Sequence, residues 1–177
     1  FHNSQEIYEL ACGSAEVTHA HPIGKDGAAV QARAVAQAVR LDLAREFHPE
    51  EFIGGLIEFA RTGVIREKLE LLQELIDEDV APPIAAKKLG QSVAGQESMP
   101  FAIYCFVRYP SSFVDCLYCA IMHGGDRDTL GAMAGAISGA YLGLEAIPRQ
   151  WRDKLENRET IEELALGLAK RPASSVQ

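Results

Sequence analysis

His123-Gly-Gly-Asp-Arg-Asp-Thr-Leu-Gly-Ala-Met-Ala-Gly-Ala-Ile-Ser-Gly-Ala-Tyr-Leu-Gly143 runs from a Gly-Gly turn into an apolar stretch of small residues. Its glycines at 131, 135, 139 and 143 recur every fourth residue, so a helix carries them on one face. Each costs roughly 1 kcal/mol against alanine inside a helix, which an isolated surface helix rarely tolerates. The expected return is close approach of a neighbouring backbone along that face. The stretch therefore predicts a helix buried among other helices, with its acidic entrance, Asp126-Arg-Asp128-Thr129, held in a fixed place. A membrane span is excluded. The apolar run from Leu130 to Leu144 is about fifteen residues, short of the roughly twenty that cross a bilayer, and it has no basic anchor at its far end.

Two roles suit the entrance. Aspartate accepts hydrogen bonds from the free amides of a first helical turn and complements the positive end of the dipole. One cap needs one aspartate, however, and a second carboxylate two residues away adds repulsion. Asp126, Asp128 and the Thr129 hydroxyl are also hard oxygen donors of the kind that hold Mg²⁺, Mn²⁺ or Ca²⁺. Residue types alone leave capping and metal binding both open. An Asp-x-Asp phosphotransfer nucleophile is set aside, because that motif wants Thr or Val two places after the second aspartate, following a strand.

The whole chain has 177 residues, enough for one domain with a substantial core. Apolar residues make up 47 % and charged residues 24 %, an ordinary globular balance. The net charge of −8 argues against a nucleic-acid partner. It leaves room for an anionic ligand, because a bound metal reverses the local field. Cys12, Cys105, Cys116 and Cys119 lie in apolar helical contexts. Cys116-Leu-Tyr-Cys119 has the spacing of a metal or redox pair but sits amid Phe113, Val114, Leu117 and Ile121, so buried free thiols are expected. Reduced thiols, with no signal or lipidation motif, point to a cytoplasmic protein without a membrane partner.

Nearly every segment shows the 3.6-residue period, and none shows sustained alternation. Asn3-Ser-Gln-Glu6 reads as a capping box opening a helix that turns Ile7, Leu10, Ala11 and Val17 inward and stops near His21-Pro22. Asp26 is expected to cap an alanine-rich helix from Gly27 to about Arg45. Pro49 opens a helix to about Arg61, and Ile65, Leu69, Leu72 and Ile76 mark another to about Asp79; this pair reads as an outer layer. A short helical piece follows Pro82-Pro83, then a small-residue loop, Gln91-Ser-Val-Ala-Gly95. Ser98 or Glu97 opens a helix over 100–109, Ser112 caps one from Phe113 to about His123, and a closing amphipathic helix starts at Thr160. The tail 171–177 is expected to fray. His19 and His21 lie near a helix end; placement against its dipole is one reading, and a ligand role is the other. The fold expected is one all-α, multi-helix domain over 1–177.

The run Gly124 to Gly143, followed by Ile147-Pro and Trp151, resembles the signature of the ADP-ribosylglycohydrolase family. Glu97-Ser-Met-Pro-Phe-Ala-Ile-Tyr-Cys-Phe-Val-Arg108 resembles the family's preceding helix. Ser14-Ala-Glu-Val-Thr-His19, with Gly27-Ala-Ala-Val-Gln-Ala32, resembles an earlier one. The similarity is nearest to the branch that releases ADP-ribose from serine and from O-acetyl-ADP-ribose. It implies a compact orthogonal all-α fold and a hydrolase with two metal ions, Mg²⁺ or in some branches Mn²⁺. Asp126, Asp128 and Thr129 match metal ligands, with Asp128 placed to bridge both ions. His19 matches a histidine that contacts ADP-ribose, and Val93 an apolar position against the same ligand. Arg127 stands where animal relatives tend to have threonine.

The resemblance also implies partners that this sequence lacks. In the family an N-terminal Thr-Asp-Asp motif and a mobile glutamate complete the metal centre, and a Gly-rich loop holds the pyrophosphate. This chain opens on Phe1-His-Asn-Ser4 and reads as the C-terminal part of such a domain, without its N-terminal helices. Three expectations follow. ADP-ribose or an ADP-ribosylated protein is the ligand, the N-terminal half is a partner, and the chain alone does not turn over. Leu130 and Met133 are expected to lose cover where the missing helices belong. The alternative is a non-catalytic helical module that binds ADP-ribose or serves a structural role, or an inactive fragment.

Overall fold

A computed structural model describes residues 3–170, so the expected fraying of the tail at 171–177 lies outside the described residues. Within them the chain is all-α. Ten α-helices follow one another: α1 Ser4–Ala15, α2 Pro22–Ala38, α3 Pro49–Phe59, α4 Gly63–Asp77, α5 Pro82–Leu89, α6 Gly95–Arg108, α7 Phe113–His123, α8 Arg127–Leu142, α9 Arg149–Arg152 and α10 Arg158–Ala169. A single 3-10 turn, Leu144–Ala146, joins α8 to α9.

The fold is built around α6. Its residues from Ser98 to Val107 are buried without interruption, because the sequence there is apolar on every side of the helix. Around it pack α8, α2, α4, α7 and α5. Phe52, Ile53 and Leu56 of α3 and Ile65, Leu69, Leu72 and Leu75 of α4 turn one face inward and leave their charges outside, as an outer layer should. Phe47, Phe52, Phe106 and Tyr141 close the far end of this core with tilted and edge-on ring contacts.

Local caps form where short-range chemistry predicts them. Asn3 accepts from the Gln5 amide at 2.9 Å, and Ser112 from the Asp115 amide at 3.2 Å. Four expectations are corrected. First, α1 ends at Ala15, leaving Leu10 41 % and Val17 88 % exposed. Second, α2 starts at Pro22 and ends at Ala38, with His21 as its cap; His21 Nδ1 accepts from the Ile23 amide at 3.2 Å. Asp26 is therefore a second-turn residue, fully buried. It accepts from the Arg61 amide at 3.2 Å, the Thr62 amide at 2.7 Å, the Thr62 hydroxyl at 2.6 Å and the Tyr8 hydroxyl at 3.0 Å. Third, α6 begins at Gly95, so Pro100 stands in its second turn rather than at its entrance. Fourth, Leu130 is buried and Met133 packs against the core, with its carbonyl accepting from Gln31 Nε2 at 3.0 Å. Uncovered apolar side chains lie elsewhere, among them Leu10, Val39, and Ile161, Leu164, Leu166 and Leu168 of α10, a helix with no buried residue.

The glycine face of α8 lies on α7, but side chains rather than backbone fill it. A Cβ at Gly131 would meet Ile121 at 3.2 Å and Leu117 at 3.4 Å, while at 135 and 139 it would meet Leu117 and Phe113 at ordinary van der Waals distance. Phe113, Leu117 and Ile121 are spaced four apart on α7 and interlock with glycines spaced four apart on α8. Cys105 of α6 and Cys116 and Cys119 of α7 are buried free thiols; burial pushes the Cys116 thiol up to about 12 and raises Cys105 as well.

Candidate metal centre

The site is assembled at helix starts. Gly124 and Gly125 end α7 and turn the chain into α8, with Asp126 as the residue that precedes the first turn. Space dictates both glycines. A Cβ at 124 would fall 1.9 Å from Leu130 Cδ1, and one at 125 would fall 2.0 Å from the carbonyl oxygen of Gln91. That second contact presses the Asp126 turn against the loop from Gln91 to Ala94. Gln91 Nε2 also donates to the His123 carbonyl at 2.9 Å, so the loop is fastened to both sides of the turn. Val93 sits in this loop, 79 % exposed.

Asp126 is half-buried, while Asp128 and Thr129 are exposed. The Asp126 carboxyl caps no helix amide. Instead it neighbours the Asp128 carboxyl, and Asp126, with the amides of Asp128 and Thr129, holds the Asp128 carboxyl below the usual range. The capping account thus fails for Asp126 and holds in part for Asp128. Arg127, between them, is exposed. Among the described residues no third carboxylate, histidine or cysteine joins the pair, so this chain offers two carboxyls and a hydroxyl.

His19 lies apart from the aspartates in hydrogen bonding. Its Nδ1 pairs with the Thr18 hydroxyl at 2.8 Å, and its ring lies over the first turn of α2, where a Cβ at Gly24 would meet Cδ2 at 2.8 Å. One turn further along α2, buried Gly27 abuts the Gly95 carbonyl at the start of α6. The structure thus joins the Val93 loop to the Asp126 turn through Gln91, and His19 to the same loop only through the first two turns of α2. Sequence reasoning missed Gln91, whose side chain and carbonyl both fasten the loop, and the flanking glycines at 90 and 95 were the available signal.

Comparison with known proteins agrees in extent and in order along the chain. The sequence model of the ADP-ribosylglycohydrolase family matches residues 1–176. ADP-ribosylhydrolase ARH3 of Bos taurus is 35 % identical over 189 residues, covering 93 % of this chain and 52 % of the bovine protein. The human ARH3 is 33 % identical with the same coverage. An uncharacterized protein of Archaeoglobus fulgidus is 36 % identical over 155 residues, covering 88 % of this chain and 48 % of its own length. The chain spans about half the length of the relatives it matches. With the glycine-faced helix, the buried α6 and a family match over essentially every residue, the chain belongs to the ADP-ribosylglycohydrolase family.

Proposed function

We propose that this chain is the C-terminal part of a single all-α domain that hydrolyses the glycosidic bond to ADP-ribose, and that Asp126, Asp128 and Thr129 are its share of a two-metal centre. The observation that carries this reading is the Asp126–Asp128 contact at the open start of a packed helix. Two neighbouring carboxylates at one helix start repel each other, and a divalent cation between them would offset that repulsion. The three oxygen donors suit Mg²⁺ or Mn²⁺ in hardness, and the family's N-terminal half would supply the remaining ligands.

The substrate proposed is an ADP-ribosylated protein, serine-linked, or O-acetyl-ADP-ribose, cleaved at C1″ of the distal ribose. Such cleavage passes through a cation-like sugar. Bound divalent ions orient ribose hydroxyls and activate water in chemistry of this kind. Asp126 and Asp128 would hold those ions, and Thr129 would add its hydroxyl. Thr18 fixes the His19 ring through Nδ1, leaving Nε2 to hydrogen-bond the ligand. Val93 offers an apolar surface to it. The first-turn amides of α6 and α8 suit an anionic ligand in an otherwise acidic protein.

The experiment is calorimetry with Mg²⁺ and ADP-ribose, combined with an ADP-ribose release assay on ADP-ribosyl-serine. It uses this chain with and without the N-terminal half. Metal-dependent release by the joined halves alone is the expected result. Tight ADP-ribose binding without release would favour the non-catalytic module, a reading suited to a chain with only two gathered carboxyls. Full turnover by this chain alone would show that the catalytic groups are misplaced.

A further inference from the structure

Gly90, Gln91 and Ser92 enter the loop that carries Val93, and the side chain beneath that entry is Glu97, in the first turn of α6. Its Oε2 accepts from the Ser92 amide at 2.8 Å. Gly90 adopts φ +113°, and a Cβ there would lie 2.3–2.5 Å from Glu97 Cγ, Cδ and Oε2, so the carboxylate lies directly against the Gly90 backbone. Lys68 is near enough to favour the charged form, and its own ammonium donates to the Leu89 carbonyl just before the loop. Ser92 in turn accepts from the Ala94 amide at 3.2 Å.

The loop is therefore pinned twice. Glu97 holds its α6 side through Ser92, and Gln91 holds its α8 side through His123 and Gly125. Between the pins an apolar side chain, Val93, stands in solvent with no core contact to fix it. Core packing does not account for this arrangement, because the residue held in place is the exposed one. Resting on the reading of Val93 as a ligand contact, we propose that Glu97 is a positioning residue: through the Ser92 amide it sets the Val93 loop at the distance from the Asp126 turn that ADP-ribose requires. An acceptor at 97 is the requirement, and glutamate's usual place three residues into a helix, reaching back over its start, supplies it here two residues earlier than a capping box would.

The test joins this chain to the N-terminal half and compares E97A, E97Q and V93A. E97A should raise KM for the ADP-ribosyl substrate roughly tenfold while lowering kcat less than about threefold, the size expected from a lost charge-assisted hydrogen bond. E97Q keeps an acceptor for the Ser92 amide and should restore KM to within about threefold. Amide exchange at Ser92 should quicken in E97A by at least about tenfold, with the thermal midpoint little changed. Unchanged Ser92 exchange, or an unchanged KM in E97A where V93A raises KM, overturns the role of Glu97 and leaves the proposed function standing. If V93A and E97A both leave KM unchanged, the ligand reading of Val93 falls first and takes the role of Glu97 with it. Equal loss of kcat and of thermal stability in E97A and E97Q also overturns it, since that pattern marks a purely structural residue.

Discussion

Gly125 lies against the backbone of Gln91 so closely that a β-carbon would fall 2.0 Å from the Gln91 carbonyl oxygen. Backbone, not a flexible side-chain end, occupies that space, so it yields only if the loop or the turn moves. G125A should therefore cost roughly 1–3 kcal/mol, the usual range for overpacking. It should also separate Val93 from Asp126. Denaturant unfolding checks the first effect. ADP-ribose titration of the joined halves checks the second, with affinity expected to fall about tenfold, as a loss near 1.4 kcal/mol gives.

Asp26 makes a different prediction, about stability. Its buried carboxylate gathers the Arg61 and Thr62 amides, the Thr62 hydroxyl and the Tyr8 hydroxyl, tying α1, α2 and the start of α4 together. The Arg61 guanidinium stacks over the Tyr8 ring at 3.6 Å. D26A would leave those donors without their acceptor, so a loss of about 1–3 kcal/mol is expected. A loss below about 0.5 kcal/mol in denaturant unfolding would mean that water replaces the carboxylate cheaply.

The thiols give a prediction about reactivity. Burial raises the thiol of Cys116 to about 12 and that of Cys105 well above its ordinary value, and Cys119 is 5 % exposed. A raised thiol value means less thiolate: at pH 8 a group titrating near 12 is ionised in roughly one molecule in ten thousand. In the native protein a thiol reagent should modify half-buried Cys12 first, with Cys105 and Cys116 modified no faster than the chain unfolds. Prompt reaction of all four at pH 8 would contradict this burial.

The sequence disclosed what short spacing controls. Asn3 and Ser112 cap the helices that their chemistry announces, the glycine period of α8 marks a packed face, and Asp126 and Asp128 are two residues apart on any helix start. Long-range partners hid the rest. Asp26 looks like a cap until Arg61 and Thr62, some 35 positions away, claim its carboxylate. Pro100 looks like a helix entrance, yet α6 begins at Gly95 beside the loop that Glu97 pins. Leu130 keeps its cover because the turn at Gly124 folds back over it, a contact that no local pattern announces. Val93 and Asp126 share a neighbourhood only through the Gln91–Gly125 contact, so their proximity was legible from resemblance and not from spacing.

The last prediction separates cation binding from capping at Asp126 itself. A carboxylate that caps a helix loses about 1 kcal/mol of stability when its acceptor is removed, with or without metal. The Asp126 side chain caps no amide, and its partner is a second carboxyl. In chelator, D126N should therefore change the stability of this chain by less than about 0.5 kcal/mol, as a surface change away from any special feature does. In the joined halves it should abolish the rise in thermal midpoint on adding Mg²⁺. It should also cut ADP-ribose release by more than the roughly 10- to 100-fold that outer-shell changes cost a metal site. Thermal melts with and without Mg²⁺, alongside the release assay, measure all three. A destabilised apo chain whose response to Mg²⁺ is intact would assign Asp126 to the helix rather than to a cation, and the metal centre would have to be sought elsewhere.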